Sequence, residues 1–345
     1  MVFIGTAGSM PTARRSPAAT LVRRGGERLL FDCGEGTQRQ LLRSDVGLTD
    51  LPEIFLTHFH ADHFLGLPGM LKTFALRGRE LPLTLYGPVG IAELMSTLRR
   101  LFGRLTYPYD VVELRPGEAL ERDGYVLRTI PVRHGLSACG YALVEDERPG
   151  RFDVGIADRL EVPAGPERGR LQRGETVVLS SGRVVSPLDV LGPPRPGRTI
   201  VLSGDTAPVQ SIADAAQGAD LLVHEATFCE DEADRARETD HSTAAEAAQV
   251  ARDAGVKLLA LTHLSTRYFG GDVEAEARAI FPATVVPRDF DVIEVPFEER
   301  GLPELVKSGA RTRRRRPADE DASAEESRDP LSAVVEDLVE PPVDR

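Results

Sequence analysis

Four side chains that can bind a metal ion lie within six positions of the sequence. His58, His60, Asp62 and His63 belong to the segment "LTHFHADHFLG", residues 56–66. The chain has only seven histidines in 345 residues, so almost half of them lie in this segment. Imidazole and carboxylate groups are ligands that zinc prefers in proteins. Such clustering predicts a metal site.

Three more donors follow apolar segments that are typical of β-strands. "YVLRTIPV" leads to His134, "RTIVLSG" leads to Asp205, and "KLLALT" leads to His263. Segments with helical spacing, such as "VGIAELMSTLRRLFG", alternate with these strands, which predicts an α/β fold. Because ligands bind at the carboxyl ends of strands in α/β sheets, we expect all these donors to converge at one edge.

The number of donors indicates more than one metal ion. Five histidines and two aspartates exceed one tetrahedral site but fit two neighbouring sites that share a carboxylate. Two metals about 3.5–4 Å apart can stabilise both the attacking and the leaving oxygens of a phosphoryl displacement. A single histidine at a strand end is more often a hydrogen-bonded core residue, but HxHxDH with three further donors is a far more constrained pattern.

Composition places the chain among ordinary globular proteins, with 41% hydrophobic and 28% charged residues. No apolar run reaches the roughly 18 residues that a membrane span needs, and the first residues lack a signal-peptide pattern. The three cysteines are isolated in the sequence, so we expect them to stay reduced. These features predict a cytoplasmic protein with no membrane contact.

The net charge of −12 is concentrated at the C-terminal end. Residues 317–345 carry ten acidic and two basic residues, a net charge of −8, which leaves −4 for the first 316 residues. The sequence from 308 to 345 is therefore predicted to be a disordered tail, first basic and then acidic. Its basic run, 311–316, is interpreted as a solvated linker, with an RNA-binding patch as the alternative.

The sequence resembles a known family at several further motifs. "HFHADH" resembles the signature of the metallo-β-lactamase fold, and residues 1 to about 300 resemble ribonuclease Z, the endonuclease that trims the 3′ ends of transfer-RNA precursors. The resemblance rests on "LFDCGEGTQRQLL", "LTHFHADHFLGLPG", "VRHG", "VLSGDT", "LLVHEATF", "HSTAAEAA" and "LTHLSTRY". It implies an αββα sandwich over residues 1–307, with the metals at one edge of two face-to-face sheets and a protruding flexible arm.

The resemblance also assigns roles to the metal-binding residues, position by position. One zinc would be held by His58, His60 and His134, the second by Asp62, His63 and His263, and Asp205 would bridge them. Asp62 would also accept the proton of the attacking water. Two Zn²⁺ per chain are therefore expected, with Mn²⁺ or another divalent ion as alternatives. Asp32 in "FDCG" either orients a liganding imidazole or simply closes a strand.

His224 and Glu225 of "HEATF" and His241 of "HST" are not needed as metal ligands. A phosphodiester cut that leaves a 3′-hydroxyl must protonate a departing alkoxide, and a histidine beside a carboxylate suits that task. By resemblance, His241 is this general acid and Glu225 its partner. The alternatives are that His241 merely begins a helix, with Ser242 or Thr243 as its cap, and that His224 packs beside a strand.

The segment from about 145 to 183 is similar to the family's flexible arm, which grips transfer RNA far from the cut. Its close glycines and prolines disfavour regular structure. Its arginines, Arg168, Arg170 and Arg173, would suit phosphate contacts. Without the resemblance, an exposed loop is the better interpretation.

The chain departs from the family near its N-terminus. Relatives carry a P-x-K-x-R-N loop that helps to place the cut, whereas "PTARRS" here has Ala13 for the lysine and Ser16 for the asparagine. The nearby "GTAGS", residues 5–9, is interpreted as a tight turn rather than a phosphate loop.

The motifs together predict a zinc-dependent endoribonuclease that removes the 3′ trailer from precursor transfer RNA. It would leave a 3′-hydroxyl on the transfer RNA and a 5′-phosphate on the trailer, and would act as a homodimer. One alternative is a dizinc hydrolase of the same fold that cleaves a small phosphodiester. Another is an inactive RNA-binding relative, although such a protein would be expected to have lost ligands and this chain has lost none.

Overall fold

The computed structural model describes residues 1–48, 51–135 and 137–308. The basic run 311–316 and the acidic residues after it lie outside the described residues, so the predicted tail remains a sequence-based prediction. Within the described part of the chain, no helix is both long and apolar enough to cross a bilayer.

The first β-sheet has eight strands. In spatial order they are β17 (Glu304–Val306), β16 (Val292–Glu294), β1 (Val2–Gly5), β2 (Ala19–Arg24), β3 (Glu27–Phe31), β4 (Glu53–Phe55), β5 (Leu83–Pro88) and β6 (Tyr109–Leu114). Strands β3 to β6 are parallel, with Ile54 of β4 aligned with Leu30 and Leu85. The other pairs are antiparallel.

The second sheet has seven strands. Their order is β15 (Thr284–Val285), β14 (Leu258–Thr262), β13 (Leu221–Glu225), β12 (Thr199–Leu202), β9 (Cys139–Glu145), β8 (Tyr125–Pro131) and β7 (Ala119–Arg122). Strands β12 to β15 are parallel, and β9, β8 and β7 extend the sheet in antiparallel fashion. The carboxyl ends of the parallel strands therefore share one edge in each sheet.

Helices connect the strands of each sheet. Those within the first sheet's sequence are α1 (Thr37–Arg43), α2 (Ala61–Phe64), α3 (Gly66–Leu76) and α4 (Ile91–Phe102). Those within the second are α8 (Gln210–Ala215), α9 (Ala233–Glu238), α10 (Ala244–Ala254) and α11 (Gly270–Ile280). Helix α10 begins with a capping box in which Thr243 and Glu246 satisfy each other's backbone amides. His241 thus precedes the helix rather than opening it.

Three apolar cores define the layers. One lies between the two sheets and includes Phe31, Phe55 and Tyr141. Another joins the first sheet to α1, α3 and α4, and a third joins the second sheet to α8, α10 and α11. The buried residues of α10 are all alanines, and their small side chains let that helix pack closely on the sheet. The predicted αββα sandwich is confirmed.

Residues 146–198, between β9 and β12, form a separate small folded unit that we call the arm. It contains α5 (Val154–Arg159), α6 (Pro166–Gln172), β10 (Val177–Val178), β11 (Val184–Val185) and α7 (Pro187–Val190). Its own core buries Ala157, Leu171 and Val190, among others. The prediction that its glycines and prolines disfavour regular structure was wrong at α6, because Pro166 occupies the first turn of that helix, where no amide donor is needed. The unit also continues past residue 183, to β12.

Candidate metal centre and active site

The predicted donors follow the carboxyl ends of four strands. β4 ends at Phe55 ahead of His58, and β8 ends at Pro131 ahead of His134. Asp205 follows β12, and His263 follows β14 directly. His263 has a positive φ of 58°, a left-handed backbone that turns its side chain away from the strand direction. Strand ends from both sheets thus deliver donors to one place.

One group of donors consists of His58, His60 and His134, which could hold a metal ion together. His60 Nδ1 lies 3.0 Å from His58 Nε2 and 3.0 Å from His134 Nε2. His58 is fully buried, whereas His60 is exposed to solvent. Three imidazole nitrogens therefore converge where solvent has access from one side.

A second group consists of Asp62, His63 and His263. Asp62 Oδ2 lies 3.2 Å from His263 Nε2 and 3.6 Å from His63 Nε2. Asp205 Oδ2 lies 3.4 Å from His63 Nε2, 3.2 Å from His263 Nε2 and 3.7 Å from His58 Nε2. One buried carboxylate oxygen therefore faces ligands from both groups, as a bridging ligand would.

The hydrogen bonds of two histidines in the second group test whether a cation fits. His63 Nδ1 donates to Asp32 Oδ2 at 2.9 Å. His263 Nδ1 donates to Thr227 Oγ1 at 2.8 Å, because the Thr227 hydroxyl proton is itself donated to Glu225. With Nδ1 protonated, each neutral ring has its lone pair on Nε2. These two Nε2 atoms lie 3.2 Å apart. Facing lone pairs repel each other unless a cation lies among them, so the second group fits a divalent metal.

The same pattern holds in the first group. His134 Nδ1 donates to the backbone oxygen of Asp240 at 3.1 Å, and a carbonyl can only accept. His58 Nδ1 lies 3.0 Å from Thr57 Oγ1, and the Thr57 hydroxyl donates its proton to Asp32 Oδ2. Outer partners of this kind set the tautomer and ring orientation of metal-binding histidines. Both groups therefore have the donor chemistry of a metal site.

Asp62 is held as a carboxylate. Burial opposes its ionisation, but the adjacent imidazoles of His263 and His63 outweigh burial and lower its pKa well below the usual range. The backbone amide of Ser9 also donates to Asp62 Oδ2, at 2.7 Å. An ionised Asp62 can bind a cation or accept a proton.

His241 lies between the two metal-binding groups. Its ring centre is 4.9 Å from that of His134 and 5.5 Å from that of His263. His241 Nδ1 lies 2.7 Å from Glu225 Oε1. Burial opposes protonation of His241, but the Glu225 carboxylate outweighs burial and raises the pKa of His241 to about 9. The pair therefore places a protonated imidazole beside the metal ligands at neutral pH.

Two family models match the chain. The model described as metallo-beta-lactamase superfamily matches residues 13–149, and the one described as beta-lactamase superfamily domain matches residues 181–264. Ribonuclease Z of Methanosarcina acetivorans is 45% identical over 301 residues, which cover 86% of this chain and 98% of the relative. Ribonuclease Z of Myxococcus xanthus is 50% identical over 269 residues, covering 78% and 87%.

The chain belongs to the ribonuclease Z family. Membership identifies it as an endoribonuclease with the metallo-β-lactamase fold. Among solved structures, the short form of human tRNase Z matches with a TM-score of 0.64 at 28% identity, covering 86% of this chain and 99% of the human chain. A metallo-beta-lactamase fold protein from Bacillus subtilis matches with a TM-score of 0.61 at 20% identity, covering 88% and 98%, which shows the fold alone.

Sequence reasoning missed a threonine that joins the two parts of this ribonuclease Z site. Thr227 Oγ1 donates to Glu225 Oε2 at 2.7 Å and accepts from His263 Nδ1 at 2.8 Å. One hydroxyl therefore positions both the partner of His241 and a candidate metal ligand. The only signal in the sequence was its place in "HEATF".

Replacing Thr227 with valine should lower cleavage about 10–100-fold and weaken metal binding, which is typical for loss of an outer hydrogen-bond partner. Valine keeps the shape but leaves Glu225 short of a donor and His263 short of an acceptor. Thr227→Ser should stay close to wild type. Steady-state kinetics and metal titration of the two variants would measure this, and wild-type values for the valine variant would show that the hydroxyl is dispensable.

The N-terminal loop contributes backbone rather than side chains. Gly8 lies against His263, where a Cβ would be 2.7 Å from Nδ1, so the position requires glycine. The tight turn here brings Ser9 to Asp62. Arg15 of the segment "PTARRS" donates to Thr6 Oγ1 at 2.6 Å and to a backbone oxygen at 2.7 Å, and so holds the loop in place.

Asp32 and His224 each had two interpretations from the sequence, and their contacts bear on these interpretations. Asp32 accepts from Thr57 N at 2.8 Å and from His63, so it supports a candidate ligand as well as closing β3. His224 is fully buried and donates through Nδ1 to the backbone oxygen of Glu225 at 2.8 Å. His224 is in none of the metal-binding groups found among the described residues, in agreement with a packing role.

The three arm arginines differ in their surroundings. Arg168 donates to Asp158 at 2.5 Å and to the backbone of Val162, and its side chain is only 18% exposed. Arg170 and Arg173 both pair with Glu175, at 2.9 and 3.2 Å, and remain 48% and 65% exposed. Arg168 therefore stabilises the arm itself, and RNA binding by these arginines stays a prediction.

Proposed function

We propose that this chain removes the 3′ trailer from precursor transfer RNA, leaving a 3′-hydroxyl on the transfer RNA and a 5′-phosphate on the trailer. The observation that carries the proposal is the His241–Glu225 pair, 2.7 Å apart, beside seven converging metal donors in a ribonuclease Z chain. An alkoxide leaving group needs a proton, and a protonated imidazole beside the metal donors can supply it.

The chain's residues divide the work in this proposal. His58, His60 and His134 would hold one Zn²⁺, Asp62, His63 and His263 would hold the other, and Asp205 would be shared. Bound divalent cations would supply Lewis-acid activation of water and charge neutralisation at the scissile phosphate. Asp62 accepts the proton of the attacking water. His241 donates to the departing 3′-oxygen while Glu225 keeps its imidazole oriented.

Cleavage of precursor transfer RNA, analysed on gels with and without a chelator, tests this function. The expected result is one trailer carrying a 5′-phosphate, loss of cleavage in the chelator, and recovery on adding Zn²⁺ or Mn²⁺. Hydrolysis of a small chromogenic phosphodiester without RNA cleavage would favour the small-substrate hydrolase. RNA binding without either reaction would favour an inactive relative.

The arm is proposed to hold the transfer RNA away from the reacting phosphate. Replacing Arg170 and Arg173 with alanine should raise KM and leave kcat unchanged, because these side chains are remote from the chemistry. Removing an arginine that binds a phosphate should flatten the log–log salt dependence of RNA binding by about 0.7–0.9. Replacing Arg99 and Arg100, exposed on α4, removes the same charge elsewhere and is the matched control. Equal effects of both double variants would argue against specific RNA binding by the arm.

We also infer a homodimer on the basis of family resemblance, and a location in the cytoplasm on the basis of the isolated cysteines. Light scattering of the purified full chain tests the oligomeric state. A mass of one chain, unchanged over a range of concentrations, would contradict the dimer.

A further inference from the structure

The base of the arm is a two-stranded ribbon that continues strands β9 and β12. Arg148 and Arg195 exchange two backbone hydrogen bonds, of 2.7 and 2.9 Å. Farther out, Gly192 N donates to Arg151 O at 2.9 Å. We call these paired segments, residues 145–153 and 190–198, the stem. A two-stranded ribbon is marginally stable and strongly twisted when nothing supports it, so the stem alone would leave the arm's direction poorly defined.

A short segment after β16 supports the stem from the side. Two guanidinium groups lie over the ring of Phe297, with Arg148 Cζ 3.5 Å and Arg198 Cζ 4.4 Å from its centroid. The Glu299 carboxylate accepts two bonds from Arg148, at 2.8 and 3.0 Å, and one from Arg195 at 2.8 Å. Two side chains of one segment thus contact three arginines of the stem.

The contacts link different layers. The side chains of Arg148 and Glu299 are 20% and 21% exposed. Hydrogen bonds from Arg148 lower the pKa of Glu299 to about 2. The stem extends the second sheet, whereas Phe297 and Glu299 follow a strand of the first sheet. The contacts therefore prevent the stem from swinging relative to the first sheet.

A second ion-pair network lies at the same base. Arg198 binds Glu145 through two bonds, of 2.6 and 2.7 Å, and donates to the backbone oxygen of Val295 at 3.0 Å. Arg24 of β2 also donates to Glu145, at 2.9 Å. Bidentate arginine–carboxylate pairs are geometrically specific, so this network constrains the orientation of the two side chains as well as attracting them.

We propose that Phe297 and Glu299 are positioning residues that clamp the stem and hold the arm at one orientation to the active site. The inference rests on the proposed RNA function. Since the arm has its own core, it moves as one body, and its direction decides whether RNA bound there also reaches the metal centre. A clamped arm binds RNA without first losing orientational freedom, which lowers the entropic cost of binding.

The variants Glu299→Gln and Phe297→Leu test this clamp in the full chain, with Glu298→Gln as the matched control. Glu298 is the neighbouring residue, is 66% exposed, and contacts Lys257 at 3.6 Å rather than the stem. Both clamp variants should raise KM for precursor transfer RNA on the order of tenfold, with kcat and hydrolysis of a small phosphodiester unchanged. Glu299→Asp should recover part of the loss, and Glu298→Gln should behave like wild type.

Hydrogen exchange provides a second measurement that does not depend on RNA. Amides of the stem should exchange faster in the clamp variants, while those of the arm core, such as Leu171, should keep their protection. Unchanged KM in both variants would overturn the clamp while leaving the RNA function intact. Equal losses on RNA and on the small substrate would overturn it in favour of a general folding role. Failure of the wild-type chain to cleave precursor transfer RNA would instead overturn the proposed function.

Discussion

Replacing Asp205 with alanine should abolish RNA cleavage and lower metal content at the same time. Asp205 Oδ2 lies within 3.7 Å of imidazole nitrogens from both metal-binding groups. Its loss removes the one negative charge that both groups share, so neither half can compensate for the other. Lewis-acid stabilisation is worth several kcal/mol, so we expect a rate loss of about 10³-fold or more. Metal analysis by mass spectrometry and single-turnover kinetics measure the two effects.

Asp214→Ala is the matched control for this substitution. Asp214 is exposed on α8, close in sequence to Asp205 but with its carboxylate bound only to a glutamine side chain. This variant should keep both metals and normal turnover. If Asp205→Ala retained two metals per chain and near-normal activity, the shared-ligand assignment would be wrong.

Replacing His241 with alanine should keep both metals and reduce turnover about 10²–10⁴-fold, the usual effect of removing a general acid. Unlike the four donors at strand ends, His241 is positioned by Glu225, whose Oε1 lies 2.7 Å from His241 Nδ1. The affinity for RNA should change little. Its nitrogen also lies close enough to His134 and Asp205 to join a metal site. Loss of metal from His241→Ala would therefore make it a ligand rather than an acid.

The leaving group separates these two roles further. A nitrophenolate leaves without protonation, whereas a ribose 3′-alkoxide does not. His241→Ala should therefore lose much more activity on RNA than on a nitrophenyl phosphodiester. A uniform loss on both substrates, with metals still bound, would contradict the general-acid role.

The convergence of the candidate metal donors was predictable because each of the four segments that carry them follows an apolar strand. Strand periodicity is a local property, and the carboxyl ends of parallel strands share an edge in any α/β sheet. His58, His134, Asp205 and His263 could therefore be placed together without knowing the order of strands. The two-sheet architecture did not follow from periodicity and came from the family resemblance.

The arm shows where local reasoning failed. Glycine and proline near Pro166 predicted an irregular loop, yet α6 forms there because proline suits a first helical turn and Leu171 is buried in the arm's own core. Burial of one leucine by residues more than ten positions away is not visible in a window of sequence. The contacts of Arg168 with Asp158 and Val162 also form only in the folded arm.

The sequence by itself determined which residue types form the candidate metal site, because ligand chemistry depends on side-chain identity and strand ends mark its location. Only the tertiary structure decided how those ligands are oriented. The groups that orient them are the Thr227 hydroxyl, 36 residues from His263, the Ser9 amide, 53 residues from Asp62, and the Asp240 carbonyl, 106 residues from His134. Backbone amides and carbonyls occur at nearly every position, so residue types in the sequence do not indicate which of them contact a ligand. Their role arises only when folding brings distant segments within hydrogen-bond distance.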